Sequence, residues 1–505
     1  MKKRWLGAMV CGAAGWLAGC VTGPDFKAPE APRSESHGAG AAAGRTAEAR
    51  GPGGAAQRFE AEMDLPARWW ELFRSEELDT AVRTALTNSP TLAQAQARLR
   101  QAQEEFNAQA GAVRYPAVDA GLSAGRQKVN PAAMGITDVP IPDPFSLYNA
   151  SVSVSYALDL FGKNRRALEA LKAQVDRREF EVEAVRQTLA ANVVLASIRQ
   201  AEAERQVALA RELVAVRREQ REIAEKRHAA GGISAAELER SGQMLEQARA
   251  AVPGLESQAA RIRRQVAVYQ GREPGEAGDG GLDLDRLQLP EELPASVPSE
   301  VARQRPDIRA AEAVWHQACA NVGVATANLY PQITLTASLG AQQTDIGDML
   351  EKMNVWSLGA GLMQPVFRGG ALRSQKRAAV AAYDEAAAAY RETVLRGLQE
   401  VADTLGALEA DARTLAARTA AANHAQAGLE IATRQKEAGG ASQWAWLDEK
   451  ARQVQAEGER VQAQAARHAD TAALFHALGG GWWNRDGADG DGAPGWRMGG
   501  GREER

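Results

Sequence analysis

The apolar positions of this chain follow two rhythms. The first is helical and long. From Lys163 onward, Leu168, Val175, Val182, Leu189, Ala196, Ala203 and Ala210 recur every seven residues, a spacing that keeps one seam of a helix facing a neighbouring helix. Leu171, Val185 and Asn192 fill much of a second seam, which Arg178 and Arg199 interrupt. Ala, Glu, Gln, Arg and Leu dominate these stretches, and all five are good helix formers. The pattern predicts helices over about 76–113, 163–229, 234–270, 300–328, 370–437 and 442–477. At about 1.5 Å per residue the two longest each span roughly 100 Å, a length that requires coiled-coil-like neighbours.

The second rhythm has a period of two. Along 151–160, Val152, Val154, Tyr156, Leu158 and Leu160 fall on one side, while Ser151, Ser153, Ser155, Ala157 and Asp159 fall on the other. Residues 332–339 repeat the alternation. Weaker copies run over 117–126 and 355–366, the latter with Trp356, Leu358, Ala360 and Leu362 on one face. Alternation of this kind marks strands, and about ten residues is the length of a tilted membrane strand.

These elements recur in order. Tyr115-Pro116 precedes the first strand and Tyr330-Pro331 the third. Phe161-Gly162 follows the second strand, and Phe367-Arg368-Gly369-Gly370 follows the fourth. Gly231-Gly232 ends the first long helix and Gly439-Gly440 the second. Each half reads helix, two strands, long helix, Gly turn, helix, as an internal duplication does. The repeats are expected at 76–271 and 300–478, with a linker at 272–299.

The N-terminus adds an address. Lys2, Lys3 and Arg4 precede an apolar run from Trp5 to Gly19, then Cys20. The run is too short to span a bilayer, and the order of parts is that of a bacterial lipoprotein signal. Residues 1–19 are read as a signal peptide, with Cys20 carrying acyl chains after cleavage. Val21 follows where an inner-membrane retention signal has Asp, so the mature chain is expected at the outer membrane, facing the periplasm. Residues 20–75 read as lipid anchor and extended tether, with Pro24, Pro29, Pro32 and Pro52; residues 479–505 read as a Gly-rich disordered tail.

Composition narrows the chemistry. A net charge of −4 with no basic block argues against nucleic acid. With Cys11 lost and Cys20 acylated, Cys319 is the remaining thiol, so no intrachain disulfide is expected. Cys319 itself reads as a small buried residue in an Ala-rich helix. The six His are scattered; no metal site, cofactor or nucleophile–base pair is expected. No later run reaches eighteen apolar residues, so any membrane crossing must use strands.

Four strands cannot close a barrel. In lipid, open edges leave backbone groups unpaired at several kcal/mol each, and the smallest membrane barrels need about eight strands. Two copies would give a barrel filled by side chains. Three would give twelve strands and a lumen, which suits the Ser, Thr and Gly of the inward faces. The expectation is a homotrimeric, lipid-anchored tunnel.

Several blocks resemble a known family. They are Cys20-Val-Thr-Gly-Pro-Asp-Phe26, Leu158-Asp-Leu-Phe-Gly-Lys-Asn-Arg-Arg166, Arg305-Pro-Asp-Ile-Arg-Ala-Ala-Glu312, Val322-Gly-Val-Ala325 with Tyr330-Pro331, and Gln364-Pro-Val-Phe-Arg-Gly-Gly370. Over about 20–478 the chain resembles the TolC-like outer membrane factors, specifically the lipoprotein branch of OprM-type and NodT-type efflux channels. The resemblance implies a mostly α fold with a membrane β part, in which a trimeric twelve-stranded β-barrel is continued by a twelve-helix coiled-coil α-barrel. It implies a passive exit duct in a tripartite, RND-type efflux system, working with a periplasmic adaptor and an inner-membrane pump, without cofactor or catalysis. Two other readings stay open: the outer-membrane component of type I protein secretion, and a non-channel periplasmic coiled-coil lipoprotein.

The resemblance also places a periplasmic gate in 443–450. Asp448 aligns with the family's acidic ring, Trp444 with its apolar ring, and Glu237 is the first repeat's counterpart where the family usually has Asp. Lys436 and His228 stand where the family often has Tyr. The residues add expectations of their own. Ser299 is expected to cap the helix that follows it. Arg305, Asp307 and Arg309 are expected to form a charged cluster pinning that helix. Gly162, Gly369 and Gly370 at the strand–helix junctions, and Gly231, Gly232, Gly439 and Gly440 at the helix turns, are expected to supply backbone freedom.

Overall fold

A computed structural model describes residues 21–30, 32, 44–60, 63–128, 130, 144–278, 281–294, 298–347, 353 and 355–485. The elements are β1 (Arg58–Glu60), α1 (Glu76–Asn88), α2 (Pro90–Arg114), β2 (Ala117–Gln127), β3 (Phe145–Leu158), α3 (Lys163–Ala229), α4 (Ala235–Tyr269), β4 (Glu292–Pro294), α5 (Pro298–Gln304), α6 (Pro306–Ala327), β5 (Gln332–Gln343), β6 (Val355–Met363), α7 (Ala371–Glu437) and α8 (Gln443–Ala477). The alternation of helix and strand predicted for each half is present. The chain divides into two compact units. One holds residues up to Pro29 with 98–178 and 311–390; the other holds 30–97, 179–310 and 391 onward.

Two of the expected helices are each broken by a proline. The helix expected over 76–113 splits at Ser89, extended at ψ 121° ahead of Pro90. The one expected over 300–328 splits after Gln304, ahead of Pro306. A residue before proline is driven out of the α region, and proline itself suits a first helical turn. Ser299 is not a cap: α5 starts at Pro298 and takes Ser299 into its first turn.

The first unit is built on an antiparallel sheet ordered β2-β3-β5-β6. Val152, Val154, Tyr156 and Leu158 lie opposite Leu339, Ala337, Leu335 and Ile333, while Ser153 and Ser155 lie opposite Ser338 and Thr336. One face is therefore apolar and the other small and polar. The apolar face is bare: Trp356 is 77% and Leu358 79% exposed. β3 stops at Leu158, short of the strand predicted to 160. Asp159 instead accepts the backbone N–H of Asn164 (3.1 Å) and Arg165 (2.9 Å), at the start of α3.

In the second unit, Trp69, Phe73, Leu78, Val193, Leu408 and Phe475 belong to one buried cluster. Along α3 the predicted seam is buried at Val175, Val182, Leu189, Ala196 and Ala203, with Leu168 and Ala210 half-buried. No helix among the described residues is long and apolar enough to cross a membrane.

The tether expected over 20–75 is extended but not free. In the first unit, the N–H of Thr22 donates to Phe161 O (3.2 Å). Phe26 stacks on His316 with centroids 4.5 Å apart. In the second unit β1 pairs in parallel with β4, and buried Arg467 donates to Thr46 Oγ1 (3.0 Å) and Ala55 O (2.8 Å). Burial of Leu65, Trp69 and Phe73 outweighs the ordering cost that the Pro- and Gly-rich composition suggested. The start of the predicted disordered tail is ordered too. Trp482 Nε1 donates to Gln304 O (2.7 Å), and Arg485 pairs with Glu183 at 2.6 Å. The signal peptide, Cys20 and residues 486–505 lie outside the described residues.

Candidate periplasmic gate

Both long helices end in the same way. Gly231 and Gly439 each adopt φ 74°, a left-handed conformation that penalises any side chain. The next N–H reaches back five residues, from Gly232 to Arg227 O and from Gly440 to Gln435 O, each at 2.7 Å. These bonds satisfy carbonyls that a helix end leaves open. Gly232 and Gly440 are not left-handed, so the freedom expected of all four glycines is required at the first of each pair.

A serine then starts each returning helix. Ser234 Oγ accepts the N–H of Glu237 (3.2 Å), and Glu237 Oε2 accepts the N–H of Ser234 (2.9 Å), a reciprocal capping box. The bonds that the Ser234 N–H and hydroxyl donate to the ionised form hold the Glu237 carboxyl below the usual range. Ser442 accepts the N–H of Ala445 (3.2 Å), and alanine there returns no bond. The two turns share a left-handed glycine and a serine cap, and the first also closes a capping box.

Trp444 and Asp448 sit one turn apart on the same face of α8. The Asp448 carboxylate accepts from Arg452 and lies 4.0 Å from Arg217 Nη1 on α3. Lys450 Nζ reaches Glu212 Oε1 on α3 at 2.6 Å. Leu447 and Ala451 pack against Val216 beside these ion pairs. Polar and apolar contacts together tie α8 to α3. Trp446 is held at the turn: Nε1 donates to Thr433 Oγ1 (2.9 Å), and Lys436 Nζ lies 4.4 Å from the ring centroid. His228 Nδ1 is 3.1 Å from Ile233 O. Lys436 and His228 thus make local contacts at their own turns. Trp444 is half-buried. Arg217 and Arg452 were not singled out from sequence. The i,i+4 spacing of Asp448 and Arg452 is a readable signal; the approach of Arg217 from another helix is not.

Among the junction glycines, Gly162 has a stricter reason. Gly162 adopts φ 77°, and a Cβ there would stand 2.9 Å from Val21 Cγ1. Gly369 and Gly370 are left-handed at 56° and 82°.

At the start of α6, Arg305 and Asp307 pair as expected, and Arg305 reaches further partners on other helices. Buried Arg305 grips Asp307 with two bonds (3.0 and 2.8 Å), meets Glu400 of α7 at 2.7 Å, and donates to Ala477 O at the end of α8 (2.9 Å). Burial alone would raise the Asp307 carboxyl. The Arg305 guanidinium outweighs burial and holds it below the usual carboxylate range. Arg309 lies over the Phe180 ring, 5.3 Å from its centroid. Cys319 is buried, as expected, with Sγ 3.5 Å from Pro24 O. Among the described residues no group of His, Cys, Asp and Glu is placed to hold a metal.

A second carboxylate site gives a pH-dependent expectation. Burial, then the facing Asp470, push the Asp411 carboxyl up to about 7 against the pull of Arg467. The unfolded value is about 3.9, so folding takes up a proton here. Stability from this site falls as pH rises from about 4 to about 7. Asp470→Asn removes the like charge. It is expected to stabilise the protein at pH 8 by about 1 kcal/mol, allowing for solvent screening, and by less at pH 5. Thermal melts at both pH values check this; equal shifts would contradict it.

The profile of a family described as outer membrane efflux protein matches residues 81–272 and 297–480. The chain is 31% identical over 421 residues to the pyoverdine export outer membrane protein OpmQ of Pseudomonas aeruginosa, spanning 82% of this chain and 87% of that one. It is 28% identical over 484 residues to outer membrane protein OprJ of the same organism, spanning 95% and 97%. The solved structure of the outer-membrane channel OprN superposes with a TM-score of 0.79 at 27% identity, covering 92% of this chain and all of that one. Matched in both halves and over most of its length, the chain belongs to the outer membrane efflux protein family.

Proposed function

We propose that this chain is the outer-membrane exit duct of a tripartite efflux system, assembled as a homotrimer and fed by an inner-membrane pump through a periplasmic adaptor. The sheet carries the reading. It has an apolar face, a small and polar face, and two outer strands, β2 and β6. Outer edges left open in lipid cost several kcal/mol per unpaired group, and sibling copies can cover them. Three copies give twelve strands and a water-filled lumen lined by Ser, Thr and Gly. The long helices that follow the strands extend the duct into the periplasm. Acyl chains on Cys20 hold it at the membrane, and 76–271 and 300–478 act as its two repeats. A sheet with a lipid-facing side disfavours a plain coiled-coil tether.

The duct moves solute without making or breaking bonds, so it needs no cofactor. OpmQ is named for pyoverdine export; what we carry over from it is small-solute export, not its cargo. The aperture lies at the helix turns. Three Asp448 carboxylates converge there and favour cations, and Trp444 narrows the passage one turn away. Glu237 supports the neighbouring turn through its cap.

A deletion strain tested on a panel of dyes, detergents and antibiotics is expected to be hypersusceptible to at least one class and to accumulate fluorescent substrate. The chain supplied in trans should restore both. Unchanged susceptibility and accumulation across the panel would contradict the assignment.

A further inference from the structure

The two halves of the chain meet inside the sheet, and that junction supplies a template. β3 ends the strand pair of the first half, and β5 begins that of the second. They pair antiparallel with Leu158 opposite Ile333. At the foot of the pair Phe161 stacks on Tyr330, with centroids 4.9 Å apart and ring planes 15° apart. In the duplicated pattern, Phe367 follows β6 as Phe161 follows β3, and Tyr115 precedes β2 as Tyr330 precedes β5. Phe367 is 87% exposed and Tyr115 70%, and their strands are the outer ones of the sheet.

We infer that β6 of one copy pairs antiparallel with β2 of the next in the register that β3 makes with β5, stacking Phe367 on the neighbouring copy's Tyr115. This rests on the exit-duct reading and adds to it a residue-level interface. Equating Phe367 with Phe161 and Tyr115 with Tyr330 converts Tyr156–Leu335, Val154–Ala337 and Val152–Leu339 into Leu362–Ala120, Ala360–Leu122 and Leu358–Ala124.

The faces provide a check that the equation did not use. Leu362, Ala360 and Leu358 lie opposite Ile333, Leu335 and Ala337, on the apolar face. Ala120, Leu122 and Ala124 lie opposite Val152, Ala150 and Tyr148, on the same face. Gly361 and Gly359 then meet Gly121 and Ser123 on the polar face. A slip of one residue would join the apolar face to the polar one; a slip of two would separate the rings. The contact is head-to-tail, and rings of copies close by repeating it.

The test is oxidative cross-linking in isolated outer membranes. Residues directly opposite in an antiparallel pair have Cα atoms ~4.5–5.5 Å apart, within disulfide reach. Ala120→Cys combined with Leu362→Cys is expected to give covalent dimers and trimers on non-reducing gels. The yield should exceed severalfold that of pairs reporting two-residue slips, which lie ~7–8 Å apart, outside ready disulfide reach. Those pairs are Leu122→Cys and Val118→Cys, each combined with Leu362→Cys. A slipped pair that cross-links better overturns the register. Tyr115→Ala and Phe367→Ala should each lower the temperature at which the oligomer dissociates, and the double variant should fall no further than the worse single, because both remove one contact. Additive losses overturn the stacking. These ring variants decide the matter if the cysteine pairs fail to reach the membrane. Chemical cross-linking of the unaltered protein separates the two levels: no oligomer defeats the duct itself, whereas an oligomer with slipped cross-links defeats only this register.

Discussion

Arg305→Met is expected to strip the outer membrane of folded protein. Arg305 is the shared partner of Asp307, Glu400 and the Ala477 carbonyl, so it joins α6 to α7 and α8. Asp307 and Glu400 are themselves partly exposed, so losing their shared buried partner costs less than the about 3–5 kcal/mol of a fully buried pair. The bare Ala477 carbonyl adds about 1–3 kcal/mol. Folded domains have only about 5–15 kcal/mol in reserve. Arg305→Lys keeps the charge but loses the two-pronged grip on Asp307, so an intermediate loss is expected. The pH dependence has a definite sign. The Asp307 carboxyl is held below its ordinary range when folded. Its contribution is therefore present above the unfolded value of about 3.9 and is lost as pH falls through the folded one. A wild-type melt should carry an acid-labile component that the variant lacks. Thermal unfolding across pH and quantification in outer-membrane fractions check this. A variant as stable as wild type would remove the cluster from the set of structural anchors.

The second large effect is expected at the proposed gate. Asp448 bonds Arg452 and faces Arg217 of α3. In the proposed trimer, Asp448→Ala removes a ring of three carboxylates and leaves Arg217 and Arg452 without their Asp448 partner, loosening α8 from α3. Mean conductance in planar bilayers should rise severalfold, and preference for cations should fall, because both the constriction and its charge are lost. Trp444→Ala should raise conductance while leaving cation preference in place. The two variants thus separate size from charge. Unchanged conductance in both would take these residues out of the aperture.

Much of this was legible because the two dominant signals are local. The heptad from Leu168 and the alternation from Ser151 need no tertiary information, and the helices and strands follow them closely. The duplication of Tyr-Pro and Phe signposts gave the order of the halves. What escaped depends on contacts between distant segments. Pro-rich composition around 20–75 suggested a loose tether, yet Trp69 and Phe73 are wholly buried. Glycines after 478 suggested disorder, yet Trp482 and Arg485 find partners on other segments. At the proposed gate, Asp448 and Trp444 come from resemblance, while Arg217 belongs to another helix and leaves no trace in spacing. Pro90 and Pro306 are visible in the sequence, and each starts a new helix where a continuous one is expected.

Native mass spectrometry of the protein extracted from outer membranes bears most directly on the proposed three-copy barrel. The expected result is a species of three mature chains that survives gentle activation and forms conducting pores on reconstitution. A folded single subunit as the main species, inert in the bilayer, would contradict it, and a stable pair would replace the open lumen with a filled eight-stranded barrel.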